Sequence, residues 1–478
     1  MSNHNFKFQD FLAQHKSSAD WIGLRSVREI TSYRVVRLDQ PEKNLTDIDH
    51  GVMIEVLVDG HFGYSGTADL SPEGLKRALD RAIESTRAAS AKRVYQFTSE
   101  ERPKVRGEYR SPRQKNLDET SLAEITDSLM TASKGMRISD TIVNRVASAM
   151  IIQTQIDFFS TGGTEVRQNF DMVNVDFAAT ATRGSESQTR TYSKLGQWGG
   201  EIFDKQAFSF EAERIAKEAL ELLDAENCPE GKFDLLLFPD QMYLQIHESI
   251  GHPLEMDRIL GDERNYAGWS FVKPEDFGRL QYGSKLMNVT FDPTQTHEFA
   301  SYAFDDSGNP ATKEYLIKDG VLVRGLGSLE SQRRLKLPGV ANFRASSWNR
   351  APIDRMANIN LEPGTSSLEE LISQIKRGVI MKTNRSWSID DYRNKFQFGC
   401  EYGQWVEDGR IVKTVKNPNY RGITVDFWNR LIGVGNADLV ETHGSPYCGK
   451  GEPNQIIRVG HSSPPCLFRD IEIFGGHA

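Results

Sequence analysis

Two histidines flank a glutamate-led stretch in His247-Glu248-Ser249-Ile250-Gly251-His252. Neutral imidazoles suit Zn²⁺, and a third protein ligand leaves one coordination position open for water. The metal lowers the pKa of that water towards about 7, and a carboxylate beside a ligand can accept its proton. These residue types point to metal-assisted hydrolysis, with His247 and His252 as ligands and Glu248 as general base. The common His-Glu-x-x-His spacing sets the imidazoles four residues apart, on one helical face. Here they are five apart, which on a regular helix turns the second ring about 140° from the first. Both rings reach one ion only if the helix carries a π-bulge or unwinds at its end. Gly251 before His252 and Pro253 after it favour such a distortion, because proline disfavours helix at the residue preceding it. The sequence thus predicts a helix from near Gln241 that is distorted between Ser249 and His252.

Spacing does not choose the third ligand. Glu255, Asp257, His443, Cys448, His461 and Cys466 are all chemically able to serve. His297-Glu298 is a second His-Glu pair, without a following histidine at ligand spacing, and it receives no role. Tyr266, Arg264 and the backbone near Gly251 are candidates for an oxyanion donor.

The elements that must position these groups change character along the chain. In the first half, Ser71-Pro72 reads as a cap and first turn, followed by Leu75, Ala78, Leu79, Ala82 and Ile83 at helical spacing. Leu122, Ile125 and Leu129 repeat the pattern, as do Ile215, Ala219, Leu222 and Leu223 after Ser209. Residues 52–58 run into Asp59-Gly60 and then 61–64, a hairpin signal. Residues 151–159 and 165–181 flank Thr161-Gly162-Gly163 as a longer hairpin. An α+β fold follows, with residues 1–227 expected as an N-terminal domain of helices on an antiparallel-rich sheet. From Cys228-Pro229-Glu230-Gly231 onward, residues 228–478 read as a β-rich domain, a barrel or sandwich, carrying the metal-site helix. Strand 233–238 leads into Pro239-Asp240 as a helix start. Asp319-Gly320 and Asp408-Gly409 each sit between strand-like runs, and residues 367–377 read as one intervening helix. There is no internal repeat.

Bulk properties narrow the function class. At 478 residues the chain exceeds one comfortable core. Hydrophobic residues at 38% and charged residues at 26% describe a globular protein rather than a disordered one. A net charge of −8 argues against nucleic-acid binding. The basic run 332–336 reads as solvated surface. No eighteen-residue apolar run is present, so no membrane-spanning helix is expected. The first residues lack the apolar core of a signal peptide, and a reduced cytoplasmic setting is expected. Four cysteines in so long a chain do not make a disulfide framework.

The sequence resembles the TldD/PmbA metallopeptidases, a family often labelled modulators of DNA gyrase. The resemblance is carried by residues 247–252, by Ser301-Tyr302-Ala303-Phe304-Asp305-Asp306-Ser307-Gly308, and by Leu316-Ile317-Lys318-Asp319-Gly320-Val321-Leu322. Phe396-Gln397-Phe398-Gly399, Val406-Glu407-Asp408-Gly409 and Cys448-Gly449-Lys450 add to it. Gly63-Tyr64-Ser65-Gly66-Thr67 fits more loosely. The resemblance implies that His247, His252 and Cys448 hold Zn²⁺ and that Glu248 is the catalytic base. It leaves Cys228, Cys400 and Cys466 as structural thiols. It also implies a peptide or unfolded-protein substrate reached inside an enclosed cavity. Pairing is implied as well, either with a second copy or with a relative that lacks the zinc motif. In one departure, Gly451-Glu452-Pro453-Asn454-Gln455 follows Lys450 where the family has Asp-Gly-Gln. The competing reading is a non-catalytic peptide-binding or regulatory subunit, such as a modulator of DNA gyrase, with a structural metal.

Overall fold

The computed structural model describes residues 3–451 and 454–476, with side chains from Phe8 onward. Glu452 and Pro453, where the loop after Lys450 departs from the family pattern, lie outside the described residues.

The first half is a curled seven-stranded sheet. Its strands are β1 (Trp21–Arg37), β2 (Gln40–Val58), β3 (His61–Thr67), β4 (Arg106–Arg110), β5 (Ile142–Ser160), β6 (Glu165–Arg183) and β7 (Glu186–Gly196). Their order is β3-β2-β1-β5-β6-β4, with β7 also pairing with β6. Pairing is antiparallel except between β4 and β6. Helices α1 (Asn3–His15) and α2 (Pro72–Ala89) cover the β1–β2 end, burying Phe11, Leu12, Leu75, Leu79 and Ile83 against Leu24, Ile54 and Val56. Helices α3 (Leu122–Gly135) and α4 (Lys205–Asp224) cover β5 and β6 through Leu129, Ile215 and Ala219. All three helices read from the sequence are present. Ser71 caps α2 by accepting from the Gly74 N–H, and Ser121 and Glu124 form a capping box on α3. Helix α4 begins earlier than its apolar spacing suggests, because Asp204 supplies the cap.

The second half contains a closed barrel. Its five staves, in ring order, are β9 (Gly231–Leu237), Cys466–Gly475, Pro418–Ile423, Lys395–Glu407 and Arg377–Ile389, which returns to β9. Only β9 and Arg377–Ile389 run parallel. The short β8 (Glu226–Asn227) joins the same sheet through Arg410–Lys416. Closure removes free sheet edges from the ring and encloses an aromatic core of Phe396, Phe398, Tyr420, Phe427, Trp428 and Phe468. The hairpins at Asp319-Gly320 and Asp408-Gly409 are present, with both residues of each turn at positive φ. The helix expected over 367–377 is shorter. It spans Leu368–Ser373, and Arg377 already opens a barrel strand. The capping box of Ser367 and Glu370 starts it, but parallel pairing with β9 claims the backbone from Gly378 onward.

Among the described residues no helix is long and apolar enough to cross a membrane. Arg333 and Arg334 of the basic run are paired, with Glu100 and Glu101 and with Asp262 respectively.

Candidate metal centre

Strand β9 ends at Leu237, and Phe238 caps a helix whose first residue is proline, α5 (Pro239–Ile246). From His247 to Gly251 the helix widens into a π turn, closed by His252 N–H donating to the His247 carbonyl. A 3₁₀ turn, His252–Leu254, follows. The distortion inferred from the five-residue spacing is therefore present, and it brings the His247 and His252 rings to 4.8 Å between centroids.

A line of buried polar side chains fastens this helix. Gln241 Nε2 donates to the Tyr420 hydroxyl at 2.9 Å, and that hydroxyl donates to Gln245 Oε1 at 3.0 Å. Gln245 Nε2 and Trp428 Nε1 both donate to Ser249 Oγ at 2.9 Å. The Tyr282 hydroxyl donates to the Ser249 carbonyl. A π turn leaves a backbone group out of the regular ladder, and here a side chain from outside the helix meets it. Gly251 is closely packed: a Cβ there would sit 2.0 Å from Met356 Sδ, which would have to move.

Cys448 arrives from the hairpin of Glu441–Lys450 and Gln455–Ser463. One ligand atom from each of His247, His252 and Cys448 lies within 4.8 Å of the others, and all three residues are buried. Each imidazole is oriented through Nδ1. His461 Nδ1 lies 3.0 Å from the Ile359 carbonyl and so must donate to it, which leaves His461 Nε2 to accept from His247 Nδ1 at 3.0 Å. His252 Nδ1 faces Glu255 Oε2 at 3.0 Å. Both Nε2 lone pairs are thereby left for an ion, the tautomer that metal-ligating histidines adopt. Cys448 Sγ lies 3.7 Å from His252 Nε2. Burial would raise the Cys448 thiol, but His247, His252 and Arg355 together hold it well below its ordinary value, as a thiolate ligand needs. A soft thiolate with two imidazoles fits zinc.

Glu248, between the two histidines, has one oxygen paired to Arg393. Burial pushes this carboxyl up, yet facing His252, His247 and Arg393 outweigh it and keep Glu248 ionised below the usual range.

The remaining candidates for third ligand occupy other positions. Glu255 holds His252 and lies 3.3 Å from the buried Lys450 ammonium, and Asp257 pairs with Lys450 at 2.6 Å. His461 orients His247. His443 pairs with Glu441 at 3.2 Å. Cys466 is buried on a barrel strand, where burial alone raises its thiol. Cys228 and Cys400 are likewise buried and unpaired. Arg264 stacks on the Trp269 ring at 3.6 Å, and the half-exposed Tyr266 lies against Gly451. Sequence reasoning missed Arg393, Arg355 and Lys450. Arg355 donates to the Cys448 carbonyl and fixes that loop. Lys450 immediately follows the Cys-Gly pair, and it alone carried a signal. His297-Glu298 is also structural: Glu298 accepts from Ser462 Oγ at 2.6 Å and Asn360 Nδ2 at 2.9 Å.

Residues 230–475 match the PmbA/TldA metallopeptidase C-terminal domain, and residues 24–86 match domain 1 of the same family. A metalloprotease of Methanothermobacter thermautotrophicus is 29% identical over 338 residues, 70% of this chain and 71% of that protein. A zinc metalloprotease TldD homologue of Saccharolobus solfataricus is 24% identical over 58% of this chain and 59% of its own length. Among solved structures, a proposed modulator of a DNA gyrase from Thermotoga maritima superposes with a TM-score of 0.77 at 21% identity. That match covers 98% of this chain and 99% of the other, and shows a shared fold. Because that C-terminal family model matches more than half of this chain, the chain belongs to the PmbA/TldD metallopeptidase family.

Proposed function

We propose that the protein is a zinc peptidase that hydrolyses short or unfolded peptides. The observation that carries this reading is the π turn, which turns two histidines five residues apart onto one point beside Cys448. His247 Nε2, His252 Nε2 and Cys448 Sγ are the atoms that would hold zinc. Bound there, zinc supplies a Lewis acid that acidifies a water and polarises a peptide carbonyl. Glu248 is adjacent in sequence to His247 and ionised, so it takes the water proton and delivers it to the departing nitrogen. Three protein ligands leave a coordination position open, which distinguishes this set from a closed structural site. Burial of the site selects chains that can be threaded to it, such as short or unfolded peptides. Pairing of the chain with a second copy or with a motif-less relative is part of the same reading.

The test is mass-spectrometric detection of cleavage in a mixed pool of unfolded peptides. Wild type and Glu248→Ala, each loaded with zinc, are compared. Cleavage by wild type that falls by about 10²–10⁴-fold in the variant is expected. Equal turnover by both proteins would remove Glu248 as base. A silent wild type would favour the regulatory-subunit reading.

A further inference from the structure

Arg393 stands apart from the other buried arginines. Its side chain is 15% exposed, and it gives one N–H to Glu248 Oε2. A guanidinium carries five such donors. Its other N–H groups meet no protein acceptor among the described residues, and Nε is wholly enclosed. Arg102 and Arg190 spend their donors on two carboxylates each. Arg258 commits its two terminal nitrogens to Glu263 and the Ala267 carbonyl, and Arg355 its two to carbonyls at the Cys448 hairpin. Only Nε of each is left without a hydrogen-bond partner, whereas Arg393 also keeps a terminal nitrogen uncommitted. Those four are structural ties. Arg393 brings unspent donors to the metal cluster, close enough for its charge to act on both Glu248 and His252.

Its backbone is held there against preference. Arg393 has φ +61°, in the left-handed region, at the turn between barrel strands Arg377–Ile389 and Lys395–Glu407. The turn is over-determined. Asp390 accepts from the Asn394 and Lys395 N–H groups at 2.7 and 3.0 Å, and Thr424 Oγ1 donates to the Arg393 carbonyl at 3.0 Å. The backbone of Trp269 and Phe271 donates to Asp391 and Tyr392. Strain that the surroundings sustain in this way is a feature of functional sites.

We propose that Arg393 is a catalytic residue, the donor that holds the oxyanion formed during peptide cleavage, while its link to Glu248 aims the base. This rests on the peptidase reading above. In the step, Glu248 removes a proton from water as the water oxygen bonds to the carbonyl carbon. The carbonyl π electrons move onto its oxygen, whose negative charge meets the free Arg393 N–H groups. Collapse restores the carbonyl and breaks the C–N bond, and the nitrogen leaves with the proton from Glu248. A preorganised donor of this kind acts most where charge develops.

The experiment compares zinc-loaded wild type, Arg393→Ala and Arg393→Lys. Each is assayed for kcat and KM on one peptide found to be cleaved, and for inhibition by a phosphinic peptide that mimics the tetrahedral species. Zinc content is measured alongside. For Arg393→Ala, kcat should fall about 10²–10³-fold with KM little changed and zinc retained. Affinity for the phosphinic peptide should fall in proportion to kcat/KM. Arg393→Lys keeps the charge on Glu248 but loses the forked donors, so it should show an intermediate loss in both quantities. It decides the matter alone if the alanine variant does not fold. Unchanged kcat, or lowered kcat with phosphinic affinity intact, would overturn the oxyanion role and leave the peptidase reading standing. A wild type that cleaves nothing would overturn both.

Discussion

At the residue scale, other side chains fix the hydrogen positions of the His247 and His252 rings beside Cys448. His461 illustrates the point: its two nitrogens are committed to the Ile359 carbonyl and to His247. Burial and the nearby His247 hold its own basicity well below the ordinary value, so it stays neutral and able to accept. Replacing His461 by Ala should leave His247 free to rotate and to adopt the wrong tautomer. Zinc affinity is expected to fall about 10–100-fold, measured by competition with a chromogenic chelator. His461→Gln, whose amide can accept from His247 and donate to Ile359, should recover part of it. Unaltered affinity in the alanine variant would show that the rest of the site holds His247 without this partner. The sequence allowed His461, Glu255 and Cys448 as equal candidates for the third ligand, since all have suitable atoms. What separates them is which atom faces the other two: a hairpin register sets that for His461 and Cys448, and the turn after His252 sets it for Glu255, neither of which spacing encodes.

At the element scale, the π turn was legible because its cause is local. The count between two histidines and the Gly251 and Pro253 flanks all lie within one short stretch. Helices α2 and α3 were legible for the same reason, each having a cap and an apolar stripe. Strand β1 and the outer part of β2 were not. Residues 40–49 of β2 are exposed, so no buried face imposes alternation, and only pairing with β1 makes them strand. The barrel's closure likewise depends on β9 meeting a strand some 140 residues later in parallel, a contact of no local signature. Gly251 gives the π turn a direct test. Gly251→Ala would force its Cβ onto Met356 Sδ, and overpacking of this kind costs about 1–3 kcal/mol. Because Met356 is flexible, Met356→Ala in the same chain should return most of that loss, read as thermal denaturation of the two single variants and the double. A glycine kept only for backbone freedom would show no recovery, since φ at Gly251 is −57° and open to any residue.

At the scale of the whole molecule, the two halves meet through buried polar contacts as well as apolar packing. Arg190 on β7 is 1% exposed, donates to Glu218 on α4, and crosses to Glu401 on a barrel strand at 2.7 Å. Glu401 also accepts from the Thr191 N–H and hydroxyl. Burial pushes the Glu401 carboxyl up, and Arg190 is the first group opposing that. Removing the guanidinium strands a carboxylate between the halves, and breaking one side of such a pair costs about 3–5 kcal/mol. Arg190→Leu should therefore destabilise the entire chain, with sheet and barrel lost together in one shifted denaturant transition. Raising the folded-state pKa of Glu401 above its unfolded value also sets the direction with pH. The variant's deficit should be smallest at low pH, where the carboxyl is protonated in both proteins, and should grow as pH rises past the already raised folded-state pKa of Glu401. Glu401→Gln on the Arg190→Leu background keeps an acceptor for Thr191 without the charge, so it should restore stability near neutral pH and flatten that dependence. If the double variant is as weak as Arg190→Leu alone, the deficit belongs to lost packing around the arginine stem rather than to the stranded charge.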